Sequence, residues 1–302
     1  MLTAGIDVGG TKTLAVALDD RDVVGQVRLP TTLGPHGVVA SVADAVGALA
    51  ASLGQAVGAF AAVGVGVPGV VDHRDGRVAH AVNLAVREPL RLGPLLADRL
   101  DLPVSVENDV NAAALGAAHV LGVADGDLAL LSIGTGLGAG IVTGGRLRRG
   151  ARGAAGEIGH VPVDPQGPPC PCGQRGCLET LASGAALTAA WPVEGDASSA
   201  AAVFAAAAHG DVRAQQVCAA FGGHVAAGVR LLVLTCDVET VALGGGVSEV
   251  GLPLLDAVRA ALRAQSTGSA FLSSLDLPAR VALVPTDTPV GAVGAALAGM
   301  RR

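Results

Sequence analysis

The chain has 302 residues, enough for two domains of ordinary size, and is 51% hydrophobic but only 2% aromatic, so its cores must be closely packed from alanine, valine, leucine and glycine. A formal net charge of −6 argues against a nucleic-acid partner, and no uninterrupted apolar run approaches the ~20 residues of a membrane span, so neither partner is expected. Five cysteines, three of them in the stretch 170–177, fit a reducing compartment with one metal site better than a disulfide framework; the start of the chain carries no basic, cleavable leader pattern, so the expected location is cytoplasmic.

Leu2 to Val8 reads as a buried strand that runs into Asp7-Val8-Gly9-Gly10-Thr11-Lys12-Thr13 and resumes as a strand, Leu14 to Leu18. That order excludes a Walker A loop or a Rossmann first turn, both of which lead into helices. It leaves an ordinary hairpin turn or a glycine-rich turn whose N–H groups meet a phosphate, with Asp7 placed for the accompanying metal ion. Lys12 is the only lysine. Val23 to Leu29 completes a meander, Val38 to Leu53 is an amphipathic helix, and Ala61 to Val67 is a buried strand ending in Pro68-Gly69. Asn83 follows in a loop, Arg91 to Leu100 is a helix, and Val104 to Val106 a strand.

Glu107-Asn108-Asp109-Val110-Asn111 then opens a helix running to about Leu121. Asp109 is either its cap or a functional carboxylate at the end of a strand. Leu128 to Ile133 and Ala139 to Thr143 flank a second glycine-rich turn, Gly134-Thr135-Gly136, so the device of strand, glycine turn and strand occurs twice, as in a duplicated fold. The patch Arg146 to Arg152 reads as a solvated hairpin end, with an anion contact as the other reading.

His160, Cys170, Cys172 and Cys177 supply four N/S ligands, the set of a closed, structural zinc site, among prolines and glycines that shape the loop. Glu157 and Glu179 bracket them. Helices are expected over Leu178 to Ala190, Ser198 to Ala208, Asp211 to about Leu234, Leu252 to Ala264 and Pro289 to about Ala298, with strands at Val238 to Leu243 and Arg280 to Val284. Gly244-Gly245-Gly246 after a buried strand allows close approach of a flat ligand or a phosphate. Cys218 and Cys236 read as core residues.

Taken in order, Asp7-Val-Gly-Gly-Thr-Lys12, Glu107-Asn-Asp109 with Asn111, Gly134-Thr-Gly136-Leu-Gly138, Gly156-Glu-Ile-Gly-His160, Cys170-x-Cys172-Gly-x-x-Gly-Cys177-Leu-Glu179 and Gly244-Gly-Gly246 resemble the ROK family of bacterial sugar kinases and repressors over nearly the whole chain. The resemblance implies an α/β, two-lobed actin-like ATPase (ribonuclease H-like) fold, with mixed sheets carrying β-meanders and an interlobe cleft. Residues 1–117 with 290–302 would form the small lobe and 118–289 the larger one. It implies ATP held by Asp7, Gly9, Gly10, Thr11, Lys12, Gly134, Thr135, Gly136, Gly244, Gly245 and Gly246, with Mg²⁺ at the phosphates. A hexose would be held by Gly69, Asn83, Asn108, Asp109, Glu157, His160 and Glu179, with Asp109 as the catalytic base, a structural Zn²⁺ at the Cys/His loop, and a homodimer or higher homo-oligomer as the assembly.

The reaction so implied is transfer of the ATP γ-phosphoryl group to the 6-hydroxyl of glucose, with fructose, mannose or an N-acetylhexosamine as alternative acceptors. Two departures from the family pattern bear on sugar choice and closure. Asn83-Leu84-Ala85-Val86-Arg87 stands where a Pro-Gly-Trp-like segment usually follows Asn-Leu, and Ala117 follows Leu115-Gly116 where a glutamate is common. A sugar-sensing repressor would need a DNA-binding domain ahead of Asp7, for which no room is expected. A zinc hydrolase would need an open coordination position that four protein ligands do not leave.

Overall fold

The computed structural model describes residues 1–195 and 197–300. The chain forms two compact units: Met1–Asp125 with Gly145–Ala154 and the C-terminal stretch from Asp287, and Gly126–Gly144 with Ala155–Thr286. The last two residues of the expected 290–302 segment lie outside the described residues.

In unit 1, β1 (Leu2–Val8), β2 (Lys12–Asp19) and β3 (Asp22–Pro30) form the expected antiparallel meander. The helix α1 (Pro35–Ser52) and β4 (Ala62–Val67) follow, then a hairpin that the sequence reading did not resolve, β5 (Val70–Asp72) with β6 (Arg77–Ala79). Next come α2 (Leu92–Leu100), β7 (Val104–Asn108) and α3 (Asp109–Val120). The sheet order is β3-β2-β1-β4-β7, with β4 parallel to both β1 and β7. Strands buried on both faces read as continuous apolar runs, and β2 shows why. Ala15 and Ala17 share a core with Val38, Val42 and Leu49 of α1, while Val16 and Leu18 pack with Ala292, Val293 and Ala296 of the last helix.

In unit 2, β8 (Leu128–Ile133) and β9 (Leu137–Thr143) form the second glycine hairpin; the two-residue strand β10 (Arg146–Leu147) follows in the chain, within the Gly145–Ala154 stretch of unit 1. The elements α4 (Glu179–Ala182), α5 (Gly184–Ala190), α6 (Ser199–Ala208), α7 (Val212–Cys236), β11 (Thr240–Gly244), α8 (Leu252–Ser266), α9 (Ala270–Ser274) and β12 (Val281–Leu283) come after it. The order β9-β8-β11-β12, with β11 parallel to β8 and β12, repeats β2-β1-β4-β7 of unit 1, which is the duplication the paired glycine turns suggested. The single helix expected over Leu178 to Ala190 is two. Ser183 is extended, at φ −111° and ψ 170°, and its side chain caps Ala186, ending one helix and starting the next. By length and composition α7 could cross a membrane, although His224 and Arg230 interrupt its apolar run as expected. Its Ala214, Phe221, Val225, Val229 and Leu232 instead lie in the buried core of unit 2.

The last helix, α10 (Val290–Gly299), belongs to unit 1. It rests on bare backbone: a Cβ on Gly5 would stand 2.0 Å from the Ala292 carbonyl oxygen, and one on Gly64 only 1.7 Å from that of Ala295. This close seating brings Gly291, at the start of α10, against the Asp7 carboxylate.

Candidate active site

Three parallel strands of unit 1 end level with one another. Asp7 of β1 pairs with Gly66 of β4, which pairs in turn with Glu107 of β7. The carboxyl ends of parallel strands are where open α/β sheets place their chemistry. There β7 passes straight into α3. Asn108 is the N-cap, its Oδ1 accepting from Val110 N at 3.0 Å and Asn111 N at 3.1 Å, while its Nδ2 donates to the Gly69 carbonyl at 3.2 Å. The two readings of Asp109 are thereby separated: Asn108 does the capping, and Asp109 is the first helical residue. The Asp7 carboxyl is pushed up to about 6, chiefly by burial and then by the charge of Asp109, with Lys12 opposing. The two acids are near enough to sense each other.

The first glycine turn closes through Gly9 N donating to the Lys12 carbonyl at 2.9 Å, leaving Thr11 and Lys12 exposed. Gly10 lies against Asn83, whose carbonyl oxygen would be 3.0 Å from a Cβ at that position. Asp7, the glycine turn, Gly69, Asn83, Asn108 and Asp109 thus gather on unit 1. Sequence reasoning passed over two further residues here. Glu107 is buried, with 4% exposure, and its Oε2 accepts from Arg149 Nε at 2.7 Å and Nη2 at 2.6 Å. The Arg146–Arg152 patch is therefore not simply a solvated hairpin end. His73, in the β5–β6 turn, has its basicity lowered by burial and by the nearby Arg149. The signal available in the sequence was Glu107 itself, a charge at the end of an apolar strand.

On unit 2, Gly134 and Thr135 line a pocket of about 900 Å³ together with Gly184, Thr188, Ser198 and Gly246. The break at Ser183 shapes it: the start of α5 turns its N–H groups to the glycine hairpin, Gly184 N donating to Gly134 O at 2.8 Å and Ala185 N to Thr135 O at 3.2 Å. Of the three-glycine loop, Gly246 lines the pocket, Gly244 ends β11, and Gly245, at φ +83°, makes the turn between them. Ser198, Thr188, Val247 and Glu249 also line the pocket, and no motif marked them. Gly136 meets Glu179 instead. The Glu179 Oε2 accepts from Leu137 N at 3.0 Å and would be 2.4 Å from a Cβ on Gly136. Glu157 is exposed, directly before the short 3₁₀ turn Ile158–His160, and Gly156 O accepts from Ala139 N at 2.9 Å.

The four Cys/His residues converge, their ligand atoms all lying within 4.8 Å of one another. Tetrahedral zinc with Zn–S bonds of about 2.3 Å requires S···S edges of about 3.8 Å. The Cys172 and Cys177 sulfurs are 3.7 Å apart, and Cys170 Sγ is 3.8 Å from His160 Nδ1, so the donor set fits a zinc ion. Electrostatics agrees. Hydrogen bonds from Gln174 lower the Cys172 thiol to about 6, whereas burial and the neighbouring thiols push Cys177 up to about 12. Metal binding needs these groups deprotonated, so a bound cation would hold Cys177 as a thiolate against that rise. The loop is closed by Gly176, at φ +63°, where a Cβ would fall 1.5 Å from the Asp164 carbonyl oxygen.

The ROK family profile, described as "ROK family", matches residues 3–297. The chain belongs to the ROK family. A glucokinase of Halalkalibacterium halodurans is 34% identical over 277 residues, 84% of this chain and 83% of that protein. An N-acetylmannosamine kinase of Escherichia coli is 36% identical over 259 residues, 82% of this chain and 84% of its own. The crystal structure of a ROK family glucokinase from Streptomyces griseus, in complex with glucose and AMPPNP, superimposes with a TM-score of 0.79 at 32% identity over the full length of both chains. The fold is accordingly the two-lobed actin-like ATPase fold of ROK kinases.

Proposed function

We propose that this ROK protein is an ATP-dependent hexose kinase that transfers the γ-phosphoryl group to the 6-hydroxyl of glucose. The observation that carries the reading is the pair of mutually sensing carboxylates, Asp7 and Asp109, at the ends of two parallel strands beside a glycine turn. The family and its glucokinase relatives supply the substrate class.

In this reading Asp109 accepts the proton of the attacking hydroxyl. Asn108, Gly69, Asn83, Glu157, His160 and Glu179 hold the sugar, because carboxylates and amides match hydroxyls that both donate and accept. The N–H groups of Gly9 and Gly134 close the two glycine turns, and those of Gly10, Thr11, Thr135 and Gly136 receive charge developing on the transferring group. Magnesium bound with the nucleotide would supply charge neutralisation, and Asp7 is the residue that would hold it. Lys12 and Gly244 to Gly246 complete the nucleotide contacts. His160, Cys170, Cys172 and Cys177 would hold a zinc ion that braces the sugar-binding loop, and with four protein ligands it would not activate water. The acid that activates the acceptor thus belongs to residues 1–117 with 290–302, and the pocket and zinc loop to residues 118–289.

Ligand thiols must stay reduced, which supports a cytoplasmic location. The family resemblance supports a homodimer, which light scattering coupled to size exclusion would test. The decisive experiment is a sugar panel with coupled ADP detection, run on the wild type and on Asp109→Asn. Glucose should give the highest kcat/KM, and the variant should lose about 10²–10⁴-fold in kcat with sugar binding largely kept. Turnover close to wild type would remove Asp109 as the base. The N-acetylmannosamine kinase relative makes N-acetylmannosamine the rival acceptor, and a preference for it in the panel would replace glucose.

A further inference from the structure

Glu107 has no role in the chemistry described above, yet it is among the few buried charged or polar side chains and is the best connected of those at the strand ends. Its Oε1 accepts from the backbone N of Asn108 at 3.1 Å and from Asn111 Nδ2 at 3.2 Å, and its Oε2 holds both Nε and Nη2 of Arg149. The residues on either side of Asp109 are thus both tied to one carboxylate. Asn108 donates from its backbone N, and Asn111 donates from its side-chain Nδ2, in the first turn of α3. Arg149 comes from Gly145–Ala154, a stretch that belongs to unit 1 although the segments flanking it in sequence belong to unit 2.

A carboxylate this buried is tolerable only with a full set of donors, and removing its cation would leave an uncompensated charge next to the acceptor-activating acid. The alternative, that the pair merely adds stability, is the weaker account. Replacing a buried ion pair by an apolar pair of the same shape is often neutral or stabilising, whereas these bonds converge on the turn that carries Asp109.

We infer that Glu107 and Arg149 are positioning residues: together they fix the Asn108–Asn111 turn so that Asp109 presents its carboxylate to the acceptor hydroxyl. This rests on the reading of Asp109 as the base. The test compares Glu107→Gln, Arg149→Met, the double variant and Arg149→Lys with Asp109→Asn, measuring kcat, both KM values and the unfolding temperature of each.

The single variants should lose about 10- to 100-fold in kcat, the scale of a misplacement of about 1 Å, with the KM for ATP within about threefold of wild type. The double variant should lose no more than the worse single, because the two residues act as one unit. Arg149→Lys keeps the charge but not the forked contact; it should unfold within about 2 °C of wild type yet lose about 5- to 10-fold in kcat, so it remains informative if the other variants fold poorly. Lowered unfolding temperatures with kcat per folded molecule within about threefold of wild type would reduce the pair to a structural role and overturn the inference. If Asp109→Asn is itself active, the base assignment fails first and the positioning claim falls with it. If Asp109→Asn is inactive while the pair variants turn over normally, only the positioning claim fails.

Discussion

Replacing Asp7 by asparagine should abolish turnover and stabilise the protein at the same time. The Asp7 carboxyl is raised from 3.8 to about 6, first by burial, then by the charge of Asp109 and against the opposing Lys12. A raised carboxyl pKa means that the folded state holds its proton where the unfolded chain has lost it. Its favourable contribution is complete below about pH 4 and is lost as the pH rises through about 6. A shift of about two units corresponds to about 3 kcal/mol. Relaxation and water penetration soften the penalty of a buried charge, so about 3 kcal/mol is an upper figure. An asparagine side chain in this place carries no charge to desolvate. Without nucleotide or magnesium, Asp7→Asn should therefore match the wild type near pH 4 and gain stability as the pH rises, reaching roughly 5–10 °C in the unfolding temperature by pH 7.5. Differential scanning calorimetry of both proteins across that range measures it. Asp109→Asn removes the second cause only and should give a smaller gain of the same sign. An Asp7→Asn protein no more stable than wild type at pH 7.5, or one whose advantage is the same at every pH, would refute this account of the site's electrostatics.

Metal analysis of protein purified without added chelator should find about one zinc per chain; Cys177→Ser should remove it, lower the unfolding temperature and raise the KM for sugar more than the KM for ATP. Gly136→Ala would place a Cβ 2.4 Å from the Glu179 Oε2 and push that carboxylate off Leu137 N. The loss of one charge-assisted hydrogen bond, about 1.5–3 kcal/mol, should lower kcat/KM for sugar by about 10- to 150-fold, and an unchanged sugar KM and kcat would show that Glu179 is not held by this hairpin in the working enzyme.

The sheets, the two glycine hairpins and most helix positions could be read from the sequence because each rests on a local signal. The apolar runs of β1, β4 and β8, the glycines at the turns and the Cys-x-Cys spacing carry their meaning wherever they are placed. What escaped was set by long-range pairing. Arg149 looks solvated in a row of arginines, and only the fold brings it to Glu107, which lies 42 positions earlier. The split between α4 and α5 escaped for the same reason. Leu178 to Ala190 has helical composition throughout, and Ser183 is drawn extended where Gly184 N and Ala185 N reach the carbonyls of Gly134 and Thr135. Local propensity is a weak prior once such partners are available.

The role of Glu179 shows the same limit in a residue the motif did identify. Its place directly after Cys177-Leu178 suggested a group facing sugar from the zinc loop. One of its oxygens is committed to Leu137 N, at the far side of the glycine turn that lines the pocket. A side chain between the zinc loop and that turn ties the shape of one to the shape of the other. It also accounts for a glycine at 136, since any side chain there would occupy the space of the Glu179 carboxylate. The glycine pattern of the second hairpin thus answers in part to a carboxylate, a constraint that a motif read along the chain does not contain.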